Sequence, residues 1–442
     1  MDEVYKYVME NFGLFHHFDS TVIDYGKGKK RPVTIKSSCG DFFTKKEDIN
    51  PGDVVWKKWK NVKIPFLFDK DESKEIVEFF DNRAVINYDI ISSAFYFLTG
   101  WNEYVNNGKD RFGRVAYEYS IIKKLGIVET PVVNYYFDIL FTALKKVTDV
   151  QKINFDDNHD FVTVLTHDID TCKSAWLEGG LSELKKKRPF GIPYLFFKKI
   201  TGNDLWMNFQ TVSETDLRYG KSSTFFFLSE KGKAGKIKNA DYNIKSGNIR
   251  KHIAGLIDRG HEIGVHGSAG THLSAKKLSN DINKTGVNNI IGNRFHFLLF
   301  DIVKTVNVLS DANIKYDTTL GFAEHPGFRR GICYPFFLYD FENGKTSNVL
   351  EIPLILMDST LQNKKYMNLK QEDAPDKIKP VIDEIKKFNG VFTILWHNTF
   401  FSKYKYGGWK RVYISILDYC NENNSIFTSA KDLYQKTVKT AN

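Results

Sequence analysis

The amino-acid sequence predicts an α/β protein built in two parts. In residues 156–442, short apolar runs alternate with helical stretches in about seven strand-then-helix units, which is typical of a parallel sheet, closed or open. Residues 1–155 also alternate helical and strand-like runs, but without that repeat. The histidines divide the chain in the same way, because two of the 11 precede residue 159 and the other nine lie between His159 and His397.

Length and composition limit the classes of protein to consider. A chain of 442 residues corresponds to two or three domains. Apolar residues make up 42% and charged residues 26%, which excludes a largely disordered chain. The net charge of +10 is modest for this length and is weak evidence for nucleic-acid binding, so we expect no nucleic-acid partner.

Localisation signals and cysteines favour a reducing compartment. No apolar run reaches about 18 residues, so we expect no transmembrane helix. The amino-terminal residues lack a basic segment followed by an apolar one, so no secretory signal is predicted. The cysteines are far apart and form no CxxC pair, which argues against a zinc knuckle and a disulfide framework. We therefore expect a cytoplasmic protein. The cysteines are Cys39, Cys172, Cys333 and Cys420.

The first part, residues 1–155, is predicted to be an α/β domain of unknown role. Residues 64–68 are typical of a strand, and residues 89–104 and 133–147 have apolar side chains at helical spacing. Residues 110–114 form a polar turn. No catalytic constellation stands out in this part, so we expect it to serve packing or specificity.

The second part, residues 156–442, contains the repeating units. The clearest helices are 248–259 and 300–313. The stretch 172–205 is too long for a plain strand-to-helix connection and predicts an insertion, and its basic run 185–188 indicates a solvated helix end. In barrels of this kind the active site gathers at the carboxyl ends of the strands. The predicted strands are 162–165, 224–228, 262–265, 293–297, 314–317, 350–356 and 391–395.

Polar side chains follow the first of these strands. Because residues i and i+2 of an extended chain face the same side, Asp168 and Asp170 can point into one site. Two carboxylates so close repel each other, which favours a cation or a shared proton between them. The alternative is a pair of turn or helix-capping aspartates.

Two further strands also end in polar groups. His266 ends the third strand, and imidazole with carboxylate suits zinc or another divalent transition metal. His272 lies six residues further on and is a candidate ligand. His397 follows the last strand. His261, at the opposite end of its strand, is predicted to be structural.

Taken together, these motifs resemble the polysaccharide deacetylases of carbohydrate esterase family 4, and more closely a bacterial branch with an extra N-terminal domain. The resemblance covers about residues 160–400, and it implies a distorted (β/α)7-type barrel at 156–442 with a separate α/β domain at 1–155. The motifs that carry it are His167-Asp168-Ile169-Asp170, His261-Glu262-Ile263-Gly264-Val265-His266, Arg294-Phe295-His296, Tyr316-Asp317-Thr318-Thr319, Glu351-Ile352-Pro353-Leu354, Leu395-Trp396-His397-Asn398 and, upstream, Asp110-Arg111-Phe112-Gly113-Arg114.

The resemblance also implies roles for individual residues. Asp168 corresponds to the general base and Arg294 to the residue that orients it. His397 corresponds to the general acid. Asp170 and His266 correspond to metal ligands.

The chain departs from the family pattern at two positions. The family's second ligand histidine falls at Gly270 in this chain, and His296 stands where a proline is usual. The third metal ligand is therefore His272, with His296 as its competitor, or it is absent.

The function implied is hydrolysis of an N-acetyl group on a sugar or polysaccharide, in surface polysaccharide metabolism, with a divalent metal. Zinc is the first choice, with cobalt, nickel and manganese as alternatives. Tyr316, Trp396 and Trp409 are predicted to stack on sugar rings, or else to pack in the core. Two other functions stay open: a catalytically silent carbohydrate-binding protein and an amidohydrolase for a small non-sugar amide. The sequence predicts no oligomeric state.

Overall fold

In a computed structural model, which describes residues 2–106 and 108–440, the chain forms a mixed α/β fold around one large curled sheet. The first part carries smaller sheets, and its β2, β3, β6 and β7 form one of them. The elements of this part are α1 (Asp2–Gly13), β1 (His16–His17), β2 (Ile23–Tyr25), β3 (Val33–Ile35), α2 (Phe42–Lys45), β4 (Val55–Trp59), β5 (Val62–Phe66), β6 (Val77–Phe80), β7 (Arg83–Ile86), α3 (Ile90–Thr99), α4 (Trp101–Val105), α5 (Ile121–Lys124), α6 (Val132–Val147) and β8 (Gln151–Lys152).

The second part supplies the large sheet and the helices that cover it. Its elements are β9 (Phe161–Ile169), α7 (Ala175–Lys185), α8 (Ile192–Ile200), α9 (Phe209–Asp216), β10 (Thr224–Leu228), β11 (Lys233–Ala234), β12 (Ile237–Lys238), α10 (Gly247–Asp258), β13 (Glu262–Gly267), α11 (Ala275–Thr285), β14 (Gly292–Phe295), α12 (Thr305–Asp311), β15 (Tyr316–Asp317), β16 (Phe336–Asp340), β17 (Lys345–Glu351), β18 (Leu356–Met357), α13 (Asp358–Gln362), α14 (Ala374–Lys387), β19 (Val391–Leu395), α15 (Trp409–Glu422), β20 (Ser425–Thr428) and α16 (Ala430–Thr440).

The large sheet is parallel except at one edge. Its strand order is β16-β17-β15-β14-β13-β10-β9-β19-β18, with β20 also beside β9, and β16 runs antiparallel to β17. Every residue of β9 is buried, as expected for a central parallel strand covered on both faces. The register sets His266 of β13 opposite Arg294 of β14, so the carboxyl ends of these strands meet at one edge of the sheet.

The strand predictions are confirmed in the centre of the sheet and less closely at its margins. The predicted strands 224–228 and 391–395 coincide with β10 and β19. The predicted strand 350–356 is interrupted instead, because β17 ends at Glu351 and β18 begins at Leu356. Pro353 lies in the gap, and it has no amide N–H to give to a strand ladder. The mixed α/β class is confirmed, whereas the count of seven units stays a prediction.

The helix predicted over 89–104 is two helices, α3 and α4, separated by Gly100. This glycine adopts φ +69°, a conformation that L side chains rarely adopt, and its amide donates back to the carbonyl of Phe97. A Cβ at this position would also overlap the guanidinium of Arg330. The glycine between the two helices therefore makes room for the Arg330 side chain, which comes from the second part of the chain.

A buried ion-pair cluster joins the two parts at this point. The Glu103 carboxylate accepts hydrogen bonds from Arg329 Nε at 2.9 Å and Nη2 at 2.8 Å, and from Arg330 Nη2 at 3.1 Å. All three side chains are buried. One continuous hydrophobic core runs through both parts. The domain boundary at 155/156 and the separateness of the first domain stay predictions.

Helix length also bears on membrane insertion. Within residues 2–106 and 108–440, no helix combines the length and the apolar character needed to cross a bilayer.

We expect Glu103→Gln to destabilise the protein strongly. The substitution keeps the shape of the side chain but leaves two buried guanidinium groups without their counter-charge, which costs roughly 3–5 kcal/mol when one partner of a buried pair is removed. The free energy of unfolding in urea measures this. Glu118→Gln is the control, because Glu118 is exposed and pairs with Lys123 at 3.4 Å on the surface. If both variants lost the same small amount of unfolding free energy, the result would contradict the role of Glu103 in holding the two parts together.

Candidate metal and catalytic site

The carboxyl ends of the central strands surround a cavity of about 190 Å³. Four of the five residues to which the family resemblance gives roles line it, namely Asp168 near the end of β9, Asp170 just after it, His266 and His397. The fifth, Arg294, lies fully buried beneath the cavity and touches Asp168. The lining residues are Arg114, Asp168, Asp170, His266, His296, Phe297, Leu298, Met357, Ser359, Asn363, Tyr366, Leu395 and His397.

Asp170, His266 and His296 form a cluster with the geometry of a metal site. Each offers one ligand atom, and these atoms lie within 4.8 Å of one another. Asp170 Oδ1 is 3.2 Å from His266 Nε2 and 3.5 Å from His296 Nδ1. Within the described chain, Asp170 Oδ1 is a buried oxygen without a hydrogen-bond donor.

The hydrogen bonds of the two imidazoles fix which nitrogen faces the cluster. His266 Nδ1 donates to the carbonyl of Arg294 at 2.8 Å, and His296 Nε2 donates to the carbonyl of Lys238 at 2.9 Å. Carbonyl oxygens only accept, so each neutral ring has its proton on the outer nitrogen and its lone pair toward Asp170. Metal-binding histidines are oriented in this way by backbone carbonyls. When both rings are neutral, three acceptors face one another, and this arrangement fits a divalent cation.

The electrostatics of the cluster favour a cation or a proton at its centre. Burial raises the pKa of Asp170, but the imidazoles of His296 and His266 outweigh it and hold the pKa well below its ordinary value. Burial lowers the pKa of His296, which keeps this ring neutral and able to donate its lone pair. Burial also opposes the charged form of His266, but the carboxylates of Asp168 and Asp170 outweigh it and raise its pKa. A proton therefore competes with a metal at His266.

The structure assembles His296 in the cluster and places His272 elsewhere. After β14 the chain enters a short 3-10 turn that directs His296 toward Asp170. His272 lies in another 3-10 turn, where its ring packs against Phe295 with centroids 6.1 Å apart. Gly270, at the position of the family's second ligand histidine, has φ +88°, a backbone conformation that disfavours histidine.

Arg294 holds Asp168 from below. Its Nη1 donates to Asp168 Oδ1 at 3.0 Å and to Thr166 Oγ1 at 2.8 Å, and its Nε donates to the carbonyl of Thr318 at 3.0 Å. The guanidinium carbon also lies 4.8 Å from the centre of the Phe226 ring. The other carboxylate oxygen of Asp168, Oδ2, faces the cavity at 3.6 Å from His266 Nε2. The carboxylate thus has one oxygen fixed and one available.

His397 forms a second pair with a carboxylate that sequence reasoning missed. His397 Nδ1 donates to Asp358 Oδ1 at 2.9 Å, and the opposite nitrogen, Nε2, lies 3.6 Å from Asp170 Oδ2. Burial opposes the charge on His397, but the Asp358 carboxylate outweighs it and raises the pKa to about 10. The position of Asp358 was the available signal, because it directly follows β18. Strand β18 pairs in parallel with β19, and His397 follows β19, so the two residues come from neighbouring strand ends.

The aromatic residues predicted to bind sugar lie in the core. Tyr316 is fully buried and donates its hydroxyl to Glu262 Oε1, and Trp396 packs between Phe400 and Tyr413. Successive residues of an extended chain face opposite sides, and because Leu395 lines the cavity, Trp396 faces away from it. Trp409 is buried in α15, near Trp396. The apolar and aromatic side chains of the cavity wall are instead Phe297, Leu298, Met357, Tyr366 and Leu395.

The first part of the chain contributes Arg114 to the cavity wall. This arginine ends the polar turn 110–114, where its Nε donates to Asp110 Oδ2 at 2.8 Å. Its Nη2 donates to the Tyr366 hydroxyl at 3.2 Å. The ring of Phe112, from the same turn, packs against Phe297 with centroids 4.9 Å apart. Sequence reasoning recognised the turn but not its contact with a site more than 50 residues further along the chain.

Solved structures of similar fold include a probable polysaccharide deacetylase, a peptidoglycan deacetylase and an allantoinase. The model of a family of unknown function (DUF7033) matches residues 4–149, and no curated protein matches the chain. Puue allantoinase is 14% identical, with a TM-score of 0.42 over 63% of this chain and 91% of that one. A probable polysaccharide deacetylase from Pseudomonas aeruginosa PAO1 is 12% identical, with a TM-score of 0.40 over 64% and 92%. The peptidoglycan deacetylase PdaC from Bacillus subtilis is 14% identical, with a TM-score of 0.29 over 64% and 94%. Similarities this low leave the chemistry of this chain to its own residues.

We expect the zinc affinity to depend on His266 and His296 and not on His272. Replacing either His266 or His296 by alanine removes a ligand and should weaken zinc binding by roughly one to several orders of magnitude. His272→Ala is the matched control and should leave the affinity unchanged. Isothermal titration calorimetry with the metal-free protein measures all three.

Two outcomes would contradict this assignment. A loss in His272→Ala with none in His296→Ala would make His272 the third ligand. A wild-type protein that binds no divalent ion at high micromolar concentration would favour the silent carbohydrate-binding protein.

Proposed function

We propose that the protein is a metal-dependent hydrolase that removes an N-acetyl group from a sugar or polysaccharide. One observation carries the proposal: a cluster of three metal-ligand atoms shares a cavity with a carboxylate and a cationic imidazole. Asp168 Oδ2 and His397 Nε2 each lie 3.6 Å from an atom of the cluster. Amide hydrolysis needs an electrophile, a base for water and an acid for the departing amine, and these groups supply all three.

Asp170, His266 and His296 would hold the metal. Two imidazoles and one carboxylate match the three-ligand donor set of catalytic zinc sites, so zinc is the proposed ion. A divalent ion held there supplies Lewis-acid polarisation of an amide carbonyl and acidification of water.

Asp168 is the proposed general base. Its Oδ1 is occupied by the guanidinium of Arg294, and its Oδ2 is free to accept a proton from the attacking water. The buried guanidinium fixes the orientation of the carboxylate through a charge-assisted hydrogen bond. Arg294 is thus a positioning residue.

His397 is the proposed general acid. Its bond to Asp358 fixes the proton on Nδ1 and stabilises the imidazolium, so that Nε2 carries a proton toward the cavity at neutral pH. That proton passes to the amine nitrogen as the carbon–nitrogen bond breaks, which lets a poor leaving group depart. Acetate and a free amino sugar are the products.

The cavity wall favours a substrate with one apolar face. Phe297, Met357 and Tyr366 offer apolar and aromatic surface, which suits the face of a sugar ring and the methyl of an acetyl group. The guanidinium of Arg114 and the Tyr366 hydroxyl add polar contacts at the same wall. We propose surface polysaccharide metabolism as the setting of this activity.

The small volume of the cavity and the cation in its wall favour a second candidate function. A cavity of about 190 Å³ that includes Arg114 also suits a small non-sugar amide with an anionic group. A panel of N-acetylated sugars, N-acetylated oligosaccharides and small carboxylated amides separates the two candidates. Turnover confined to the carboxylated amides would replace the deacetylase proposal.

We expect Asp168→Asn to lower kcat by roughly 10²–10⁴-fold while zinc stays bound, because the base is lost and the ligands remain. The assay is acetate release from an N-acetylated glycan, with the metal content measured on the same sample. Asp311→Asn, an exposed aspartate at the end of α12, is the matched control and should keep wild-type activity. Wild-type turnover by Asp168→Asn would exclude this mechanism.

We expect Asp358→Asn to shift the alkaline limb of the rate profile to lower pH. The raised pKa means that His397 keeps its proton up to about pH 10 and that the rate falls as pH rises through that value. Removing the carboxylate removes the stabilisation of the imidazolium, so the pKa of His397 falls. The loss of activity at alkaline pH should then occur at a pH lower by at least about one unit. The measurement is kcat against pH for an amide and for an activated ester.

The ester provides the internal control. Its leaving group needs no proton, so its turnover should depend far less on His397 and on this substitution. An alkaline limb that stays in place for the amide would contradict the role of Asp358.

A further inference from the structure

The predicted insertion folds into a helical hairpin that exposes large apolar side chains. Helices α7 and α8 form its two arms, and residues 186–191 connect them. Phe190, in the connection, is 94% exposed, and Ile200, at the end of α8, is 68% exposed. Single exposed apolar residues are normal on a protein surface, but a group of them on one short segment marks an interaction site.

The exposed residues follow the periodicity of the helices. In α7, Leu177, Leu181 and Leu184 recur at helical spacing and are all exposed, so they form one stripe. The other side of α7 carries Gly179, which lies against Leu195 of α8 and against Tyr404 of the protein body. The hairpin is thus seated on the protein by one side and presents apolar side chains on the other.

Helix α8 repeats this arrangement. Phe196, Phe197 and Ile200 are exposed, and Leu195 is buried. Both arms therefore carry an inner anchoring side and an outer apolar side.

Basic residues accompany the apolar ones. Residues 175–200 contain six lysines and arginines and two glutamates, a net charge of +4. Residues 185–188 are all basic and exposed, and they lie at the end of α7 and in the connection that also carries Phe190. Glu178 is already engaged, because it pairs with Lys405 at 2.5 Å and with Lys238 at 3.8 Å. The outer surface of the hairpin is therefore both apolar and positive.

We propose that this hairpin docks the protein on an anionic phospholipid bilayer. Interfacial helices combine bulky apolar residues that enter the acyl boundary with lysine and arginine that contact anionic headgroups. The cores of protein–protein interfaces are instead depleted of lysine, so the composition favours lipid over a second protein. The interaction goes beyond the proposed hydrolysis and does not depend on it.

The hairpin lies beside the candidate site. It directly follows β9, the strand that carries Asp168 and leads into Asp170. Its Glu178 pairs with Lys238, whose carbonyl accepts the hydrogen bond from His296. The hairpin is therefore linked to His296 through Lys238.

Co-sedimentation of the full chain with vesicles tests the proposal. The vesicles are phosphatidylcholine alone and phosphatidylcholine with about 30% phosphatidylglycerol, each at about 0.05 M and 0.5 M salt. We expect binding to the anionic vesicles, weaker binding at the higher salt concentration, and little binding to the neutral vesicles. No binding to the anionic vesicles would overturn the proposal.

Two variants separate the apolar and the charged contributions. Phe190→Ser with Phe197→Ser and Ile200→Ser should lower partitioning onto anionic vesicles by about 10-fold or more. Lys186→Gln with Lys187→Gln and Arg188→Gln should reduce it toward the level of neutral vesicles. All six residues are exposed, so the fold should be retained, and circular dichroism checks this.

Phe79→Ser with Phe80→Ser is the matched control, since it removes two exposed phenylalanines of β6, outside the hairpin, and should leave vesicle binding unchanged. Equal losses in the control and in the apolar hairpin variant would overturn the assignment to the hairpin. A different result would assign the surface to a second copy of the chain. In that case the wild type binds no vesicles and forms a dimer in light scattering, and the apolar hairpin variant abolishes the dimer. Neither readout requires catalytic activity, so failure here leaves the proposed hydrolysis open.

Discussion

One residue of β14, Arg294, connects the candidate base to the candidate metal site. Its side chain holds Asp168, and its backbone carbonyl accepts the Nδ1 proton of His266 and so turns the lone pair of that ring toward Asp170. A fully buried guanidinium is costly unless its charge and its hydrogen bonds are satisfied. Here Asp168 supplies the opposite charge and accepts one of these hydrogen bonds, so the contact that stabilises Arg294 also fixes Asp168 at the cavity.

The polar residues at the carboxyl edge of the sheet were predictable from the sequence, because the rules that place them there are local. Alternation along β9 directs Asp168 and Asp170 to one region, and parallel strands bring their carboxyl ends together. His266 and His397 follow from the same two rules. The residue types at these ends favour a metal or a proton between them, and Asp170 Oδ1 lies 3.2 Å from His266 Nε2 while Asp170 Oδ2 lies 3.6 Å from His397 Nε2.

The rest of the site depends on geometry that no local pattern encodes. His296 enters the cluster through a turn in which Phe297 has φ 60°, and His272 is carried away by a different turn. Asp358 follows a two-residue strand, too short to give a periodic signal. The burial of Trp396 follows from which face of β19 meets α15, a matter of tertiary packing.

The identity of the third ligand decides between the open functions. The absence of a histidine at position 270 was the main support for a catalytically silent protein, because two ligands hold a metal weakly. His296 brings a third candidate ligand atom from another strand end, because its Nδ1 lies 3.5 Å from Asp170 Oδ1. With three candidate ligand atoms in the cluster, the glycine at position 270 no longer argues by itself for a silent site.

The first part of the chain belongs to the site as well as to the core. Arg114 reaches the cavity wall because Asp110, four residues earlier, holds its guanidinium, and because Phe112 packs on Phe297 beside His296. The buried Glu103 cluster fixes the first part against the sheet from which these contacts are made. A molecule bound in the cavity would therefore meet side chains from both parts, so variation in the turn 110–114 would change selectivity while the proposed base, acid and metal ligands stay the same.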